Sequence, residues 1–264
     1  MQGSRRIGWA GVVALAAAGC SLPNLSLPDL PRDSSFSFET QYWLAEPGGH
    51  VDVEGGSAPG TSTHARLERD LGLDDDEQLL WQAALDLGQH RISAEYLPLS
   101  FSGSGTTKGF TYHGAVYPGG DRVSSDLDLE TWVLKWDYAL SEQKKTEDAF
   151  RLGLGAWWWN FDQQVRGSPS GNFESREFSR IYPGIHALLT MELGEGSTLD
   201  LAGALAANNY HRRMYDWSAT LRYPVSDSVR LGIGYRWLIW DFNETTNDGD
   251  FDFSGPLGSL QVRF

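Results

Sequence analysis

Apolar and polar residues alternate along most of this chain. From Val229 to Phe242 one row reads Val229, Leu231, Ile233, Tyr235, Trp237 and Ile239. The other reads Arg230, Gly232, Gly234, Arg236, Leu238 and Trp240. A period of two held this long predicts strand rather than helix, and a strand longer than most soluble ones. Tyr215 to Tyr223 and Leu199 to Ala207 repeat the pattern. Further strands are predicted at Ile181 to Leu193, Phe150 to Phe161, Trp132 to Leu140, Arg91 to Phe101, Leu79 to Leu87 and Phe36 to Leu44. The chain ends on one more, in which Leu260, Val262 and Phe264 alternate with Ser259, Gln261 and Arg263. That makes about ten strands, within a range of 8–12. An even number returns both ends of a closed barrel to one side.

The connections sort into two kinds. Gly88-Gln89, Glu142 to Glu147, Gly194-Glu195-Gly196 and Pro224 to Ser228 are short. Those between them are longer, at Glu46 to Gln78, Ser102 to Ser124, Gln163 to Glu177 and Asn243 to Asp250; Ala207 to Met214 is the short exception. Within the first, Ala65 to Leu73 reads as a short helix or a strand, and a strand through the wall would raise the count to twelve. Phe110 to Val123 reads as a hairpin turning near Tyr117-Pro118-Gly119-Gly120-Asp121. The polar rows are rich in Gly and Ala (Gly153, Gly155, Ala202, Ala204, Gly232, Gly234), which suits a crowded interior. The bulky apolar rows then face out.

This pattern, closed by an aromatic carboxyl terminus, resembles the outer-membrane β-barrels of Gram-negative bacteria. The resemblance implies an all-β, closed antiparallel up-and-down transmembrane barrel in the cell outer membrane, with short turns in the periplasm and long loops outside. It also implies that Phe264 is the signal read by the barrel-assembly machinery. The amino terminus adds a second resemblance. Arg5 and Arg6 precede an apolar stretch, Ile7 to Gly19, that is too short to span a bilayer. The stretch runs into Ala17-Ala18-Gly19-Cys20, which resembles a bacterial lipobox. Residues 1–19 are then a signal peptide, and 20–35 are an acylated Cys20 with a tether containing Pro23, Pro28 and Pro31. Residues 36–264 form the barrel. Ser21 fits export to the outer membrane. Cys20 is the sole cysteine, so no internal disulfide forms.

Composition agrees. Without Arg5 and Arg6 the 21 Lys and Arg fall to 19 against 35 Asp and Glu, a formal charge of −16. Such an acidic chain is a poor nucleic-acid partner. Mean hydropathy is −0.37, and no apolar run after residue 19 suits a membrane helix. A β-barrel remains open, because only alternate residues meet lipid. Ten of the eleven Trp lie in the mature part, as interfacial girdles require.

The expected interior carries Glu39, Asp86, Glu95, Lys135, Asp137, Arg151, Glu192, Asp200, Asp216, Arg222, Arg230, Arg236 and Arg263. It reads as a narrow lumen filled by paired charges of both signs, which does not suit a selective pore. His186 faces in beside Tyr182 and Glu192 as a hydrogen-bonded histidine. No Ser shares that face of its strand, and no catalytic, cofactor or metal site is assigned. Asp74 to Glu77 and Asn247 to Asp250 are acidic loops without calcium-loop spacing. Arg212 and Arg213, after His211, are candidates for a lipopolysaccharide phosphate. The expected partners are outer-membrane lipids, lipopolysaccharide and the assembly machinery, with oligomeric state open.

The first functional reading is a membrane barrel with a structural, surface-interaction or small-solute role. One alternative is a soluble periplasmic lipoprotein of the lipocalin type holding a hydrophobic ligand. It lacks that family's Gly-x-Trp, since Ser37 to Trp43 has no Gly. Another is an outer-membrane hydrolase, because proteases of the omptin type also have ten strands.

Overall fold

The computed structural model describes residues 34–53, 65–141, 148–208, 212–243 and 247–264. The signal peptide, Cys20, residues 21–33 of the tether, the 142–147 turn and His211 lie outside these residues, as does the side chain of Arg212. All regular structure among the described residues is β.

The strands in chain order are β1 (Ser34–Val53), β2 (Ala65–Arg66), β3 (Asp76–Leu87), β4 (His90–Thr106), β5 (Phe110–Tyr112), β6 (Ala115–Tyr117), β7 (Arg122–Ala139), β8 (Ala149–Ser168), β9 (Phe173–Gly194), β10 (Ser197–Ala207), β11 (Arg212–Pro224), β12 (Val229–Asn243) and β13 (Asn247–Arg263). Ten of them pair antiparallel in the order β1, β3, β4, β7, β8, β9, β10, β11, β12, β13, and β13 returns to β1. The ring is a closed barrel without a free edge. Closure is made by Phe38 opposite Val262, Glu39 opposite Gln261 and their neighbours. At its last rung Phe264 N–H donates to Phe36 O at 2.8 Å.

β1, β4, β7, β8, β9 and β13 run 17 to 22 residues. They absorb much of what the sequence pattern assigns to loops. Between β8 and β9 only four residues remain outside strand, where fifteen were expected as loop. The alternation never stops there; it changes sign. On β7 the outward row is Tyr138, Trp136, Leu134, Trp132, and then Glu130, Asp128, Asp126. Its inward row is Asp137, Lys135, Val133, Thr131, and then Leu129, Leu127. β12 switches likewise, with Ile239 and then Asp241 outside, and Arg236 and then Leu238 inside. In the half nearer the termini an apolar belt faces out and charge faces in. In the other half water-facing polar groups surround an apolar core. Apolar area forms an exposed outer belt below and is buried against itself above, where its removal from water is favourable.

The belt has the right height. Val229 to Ile239 is ten steps of about 3.3 Å, which at a tilt of about 40° rises about 25 Å, the apolar height of a transmembrane barrel. Ile233 is 69% exposed on this belt, while Leu238 is 1% exposed inside.

The upper core is aromatic. Trp159 stacks on Trp240 at 4.9 Å, Phe161 on Phe178 at 4.6 Å and Phe101 on Phe253 at 5.2 Å. Trp240 Nε1 donates to Tyr182 Oη at 3.0 Å, and Trp43 Nε1 to Gly255 O at 3.2 Å, so these indoles keep a polar partner.

Two connections cover this core. β5 and β6 form the expected hairpin, but its turn is His113-Gly114, not Tyr117 to Asp121. Both turn residues have positive φ, 50° and 84°, as a tight two-residue hairpin requires. The hairpin folds over the mouth. Tyr112 Oη donates to Gln163 Oε1 at 2.9 Å and Tyr117 Oη to Val165 O at 3.1 Å, both on β8. Burial drives the Tyr112 phenol well up and pushes Tyr117 to about 12, so both stay protonated donors. The Ala65 to Leu73 segment neither spans the wall nor forms a helix. β2 bridges β1, then the chain turns, with Asp70 and Leu71 N–H both donating to Arg66 O. Leu67, Leu71 and Leu73 are buried under it. The count therefore stays at ten.

Candidate functional site

The half of the lumen nearer the termini holds a polar chamber of about 440 Å³. Its lining runs from the aromatic core to Ser35, Gly88, Ser141, Asp148 and Arg263, which sit at the short-turn end. Among the described residues the chamber thus opens at the turn end and is closed toward the loops by packed rings and the hairpin. The lumen is only half charge-filled, against the expected charge-filled interior throughout. The sign change seen on β7 and β12 is the cause.

Three ion clusters build its walls, and two of them depend on a long reach allowed by small neighbours. Arg222 on β11 donates to both oxygens of Glu39 on β1, at 3.0 and 2.9 Å, and also meets Asp200 on β10. It passes over Gly232 and Ser259, its successive register partners on β12 and β13. Glu39 further accepts from Gln41 at 2.9 Å and Gln261 at 3.3 Å. Arg236 on β12 grips Asp216 through Nε at 3.0 Å and Nη2 at 2.7 Å. Its Nη1 donates across the lumen to Glu95 on β4 at 2.6 Å, and Lys135 holds the other Glu95 oxygen at 3.2 Å. The same guanidinium lies 5.6 Å from the Trp43 ring, so Arg236 marks the floor of the aromatic core.

The third cluster joins β7, β8 and β9. His186 Nδ1 and Asp137 Oδ1 are 2.8 Å apart, although β8 runs between their strands. Gly153 is the residue between them in register, opposite Asp137 on one side and His186 on the other. A Cβ there would collide with Asp137 and the Trp136 carbonyl. Nearby, Asp86 lies 3.5 Å from both Arg91 and Arg151.

The expected interior charges are placed inward, with one correction. Glu192 is exposed at the rim, where the β9–β10 register shifts at Ser197 and Thr198. His186 is hydrogen-bonded as expected, but to Asp137 on another strand and not beside Glu192. Sequence reasoning left Arg91 out of the interior charges, and it placed Gly153 inside as a small residue without its part in joining Asp137 to His186. Arg91 carried a signal, since it faces Asp86 directly across the β3–β4 turn. Arg213 is exposed at the loop-end start of β11, opposite Asp241. No group of three or more His, Cys, Asp or Glu among the described residues is placed to hold a metal. The chamber is lined mainly by charged and polar groups, unlike the apolar cavity that a hydrophobic ligand of the lipocalin kind needs.

No protein-family model matches the chain, and no curated protein matches it. Solved structures do. The outer membrane protease OmpT from Escherichia coli is similar over 87% of this chain and 97% of its own, at 11% identity and a TM-score of 0.54. The translocator domain of the autotransporter NalP from Neisseria meningitidis is similar over 90% and 91%, at 10% identity and a TM-score of 0.46. Neisserial surface protein A is similar over 87% and 97%, at 11% identity and a TM-score of 0.35. The fold is a closed antiparallel ten-stranded β-barrel of the kind found in bacterial outer-membrane proteins.

Proposed function

We propose that this chain is an integral outer-membrane barrel, acylated at Cys20, that does not conduct and instead takes a small polar solute into its chamber from the periplasmic side. One observation carries the reading. The lumen is polar and open at the turn end, yet filled by stacked rings such as Trp159 and Trp240 toward the loops. The outward belt of Trp132, Leu134 and Trp136 and its neighbours supports insertion in lipid. Fold likeness to a protease at 11% identity carries no activity to this chain.

At the outer end, Arg212 and Arg213 are assigned to lipopolysaccharide phosphate, supported by the exposure of Arg213 above the belt residue Trp217. The test is electrical. The purified full-length barrel in planar bilayers stays silent, while heat-modifiable migration shows that it is folded. Steady single-channel conductance from the intact protein overturns the closed reading. Release from membranes by carbonate overturns the integral one.

A further inference from the structure

We propose that the chamber binds a small zwitterion, an amino-acid-like solute whose ammonium is held by Asp137 and whose carboxylate is held by Arg151; this rests on the reading that a polar solute enters from the turn end. Asp137 is 0% exposed. Its Oδ1 is engaged by His186, while its buried Oδ2 has no hydrogen-bond partner among the described residues. A buried carboxylate oxygen left unmet is costly, and such an atom on a cavity wall points to a missing donor. Arg151 lines the same cavity with the complementary want. Its buried Nε has no partner, and its Nη2 reaches Asp86 only at 3.5 Å, the outer limit of a hydrogen bond. Asp86 is moreover shared with Arg91 at the same distance, so one carboxylate faces two guanidiniums.

The two wanting groups are neighbours. Asp137 faces Gly153, and Arg151 is two residues along the same inward face of β8. The backbones of such diagonal pairs sit about 7–8 Å apart, so both side chains reach the same part of the chamber and one small molecule there can meet both. The ligand carries both signs because the lining does. Seven Lys and Arg line the chamber against six Asp and Glu, and Glu39, committed to Arg222, is a seventh acid. A balanced wall has no net field to concentrate a simple anion or cation. Either one would satisfy half of the pair and leave the other half buried and unmet.

The experiment is calorimetric titration of the refolded full-length barrel in detergent. The probes are L-serine, its half-molecules acetate and methylammonium, and the uncharged polyol erythritol. Serine is expected to bind at least tenfold more tightly than either half-molecule and to shift the His186 ring resonances. Asp137→Asn and Arg151→Gln each weaken serine at least tenfold. Ala202→Leu narrows the chamber from β10 with both charges in place, and it weakens serine while heat-modifiable migration stays intact. Serine binding no better than acetate or methylammonium, or serine affinity untouched by Asp137→Asn, overturns the proposal. If erythritol binds and serine does not, the solute chamber stands and the zwitterion fails. If no probe binds, both fail.

Discussion

His186 and Asp137 hydrogen-bond at 2.8 Å across a strand that belongs to neither of them. Neighbouring strands are about 4.8 Å apart, so residues two strands away meet only where the middle strand presents no side chain. Gly153 supplies that gap. Gly153→Val is expected to break the pair and cost about 1–3 kcal/mol through overpacking. A heat-modifiability midpoint unchanged from the parent protein would refute the dependence.

Arg236 ties β12 to β4 through Glu95 and to β11 through Asp216. Removing one partner from a buried ion cluster strands a charge that it alone paired. Arg236→Met should therefore destabilise by about 3–5 kcal/mol. Glu95 keeps Lys135, so the stranded charge is that of Asp216; adding Asp216→Asn removes it, and most of the loss should return. Denaturant unfolding in detergent measures both; a double variant no better than the single one contradicts the account.

The first loop has an acid-sensitive clasp. Burial alone would raise the Asp70 carboxyl, but Arg69, on its two oxygens at 3.0 and 2.6 Å, and the Arg66 N–H outweigh it and hold Asp70 below its ordinary value. A carboxylate lowered by folding stabilises fully above its unfolded pKa of about 3.9 and loses that contribution as pH falls through the lower folded value. Hydrogen exchange of residues 65–73 should quicken over that acid window, beyond the intrinsic pH effect. In Asp70→Asn it should be faster at neutral pH and lack the added acid response. Identical profiles for the two proteins would dispose of the clasp.

Above the belt, Asp128, Asp162 and Glu177 lie directly opposite one another on β7, β8 and β9. Ser100 donates to Asp128 at 2.6 Å, but like charges on one rung repel. Asp162→Asn should raise the unfolding midpoint slightly at low salt and hardly at all in molar salt, where the Debye length is about 3 Å. A salt-independent change would mean that packing, not charge, is responsible.

Phe264 ends the seam. Its backbone exchanges hydrogen bonds with Phe36 at 2.8 and 3.3 Å, and the two rings lie 5.9 Å apart. Deleting Phe264 removes the last rung and the aromatic terminus together. The expected result is a marked fall in heat-modifiable protein in the outer membrane, with less effect on refolding in detergent. Undiminished assembly would remove Phe264 as a signal.

Strand identity was legible in the chain because a period of two needs no knowledge of the partner. Val229 to Ile239 and Trp132 to Tyr138 face as their alternation says. The inward charges from Glu39 to Arg263, Glu192 excepted, followed from the same period, as did a count of about ten; closure of the ring was implied by the resemblance to outer-membrane barrels. The extent of the strands was not legible. Alternation at Leu127, Leu129, Trp159 and Phe161 is as regular as below, but these bulky residues occupy the row that is polar further down. Which face meets water depends on where the membrane stops, and no local pattern records that.

The residues alone thus determined which side chains share a face, since backbone geometry points every second side chain the same way. Tertiary structure alone decided what each face touches. Arg236 meets Glu95 and His186 meets Asp137 only because the sheet curves shut, bringing together strands far apart in sequence. The closed upper lumen and the open chamber below it arise in the same way, from the convergence of inward rows on one axis.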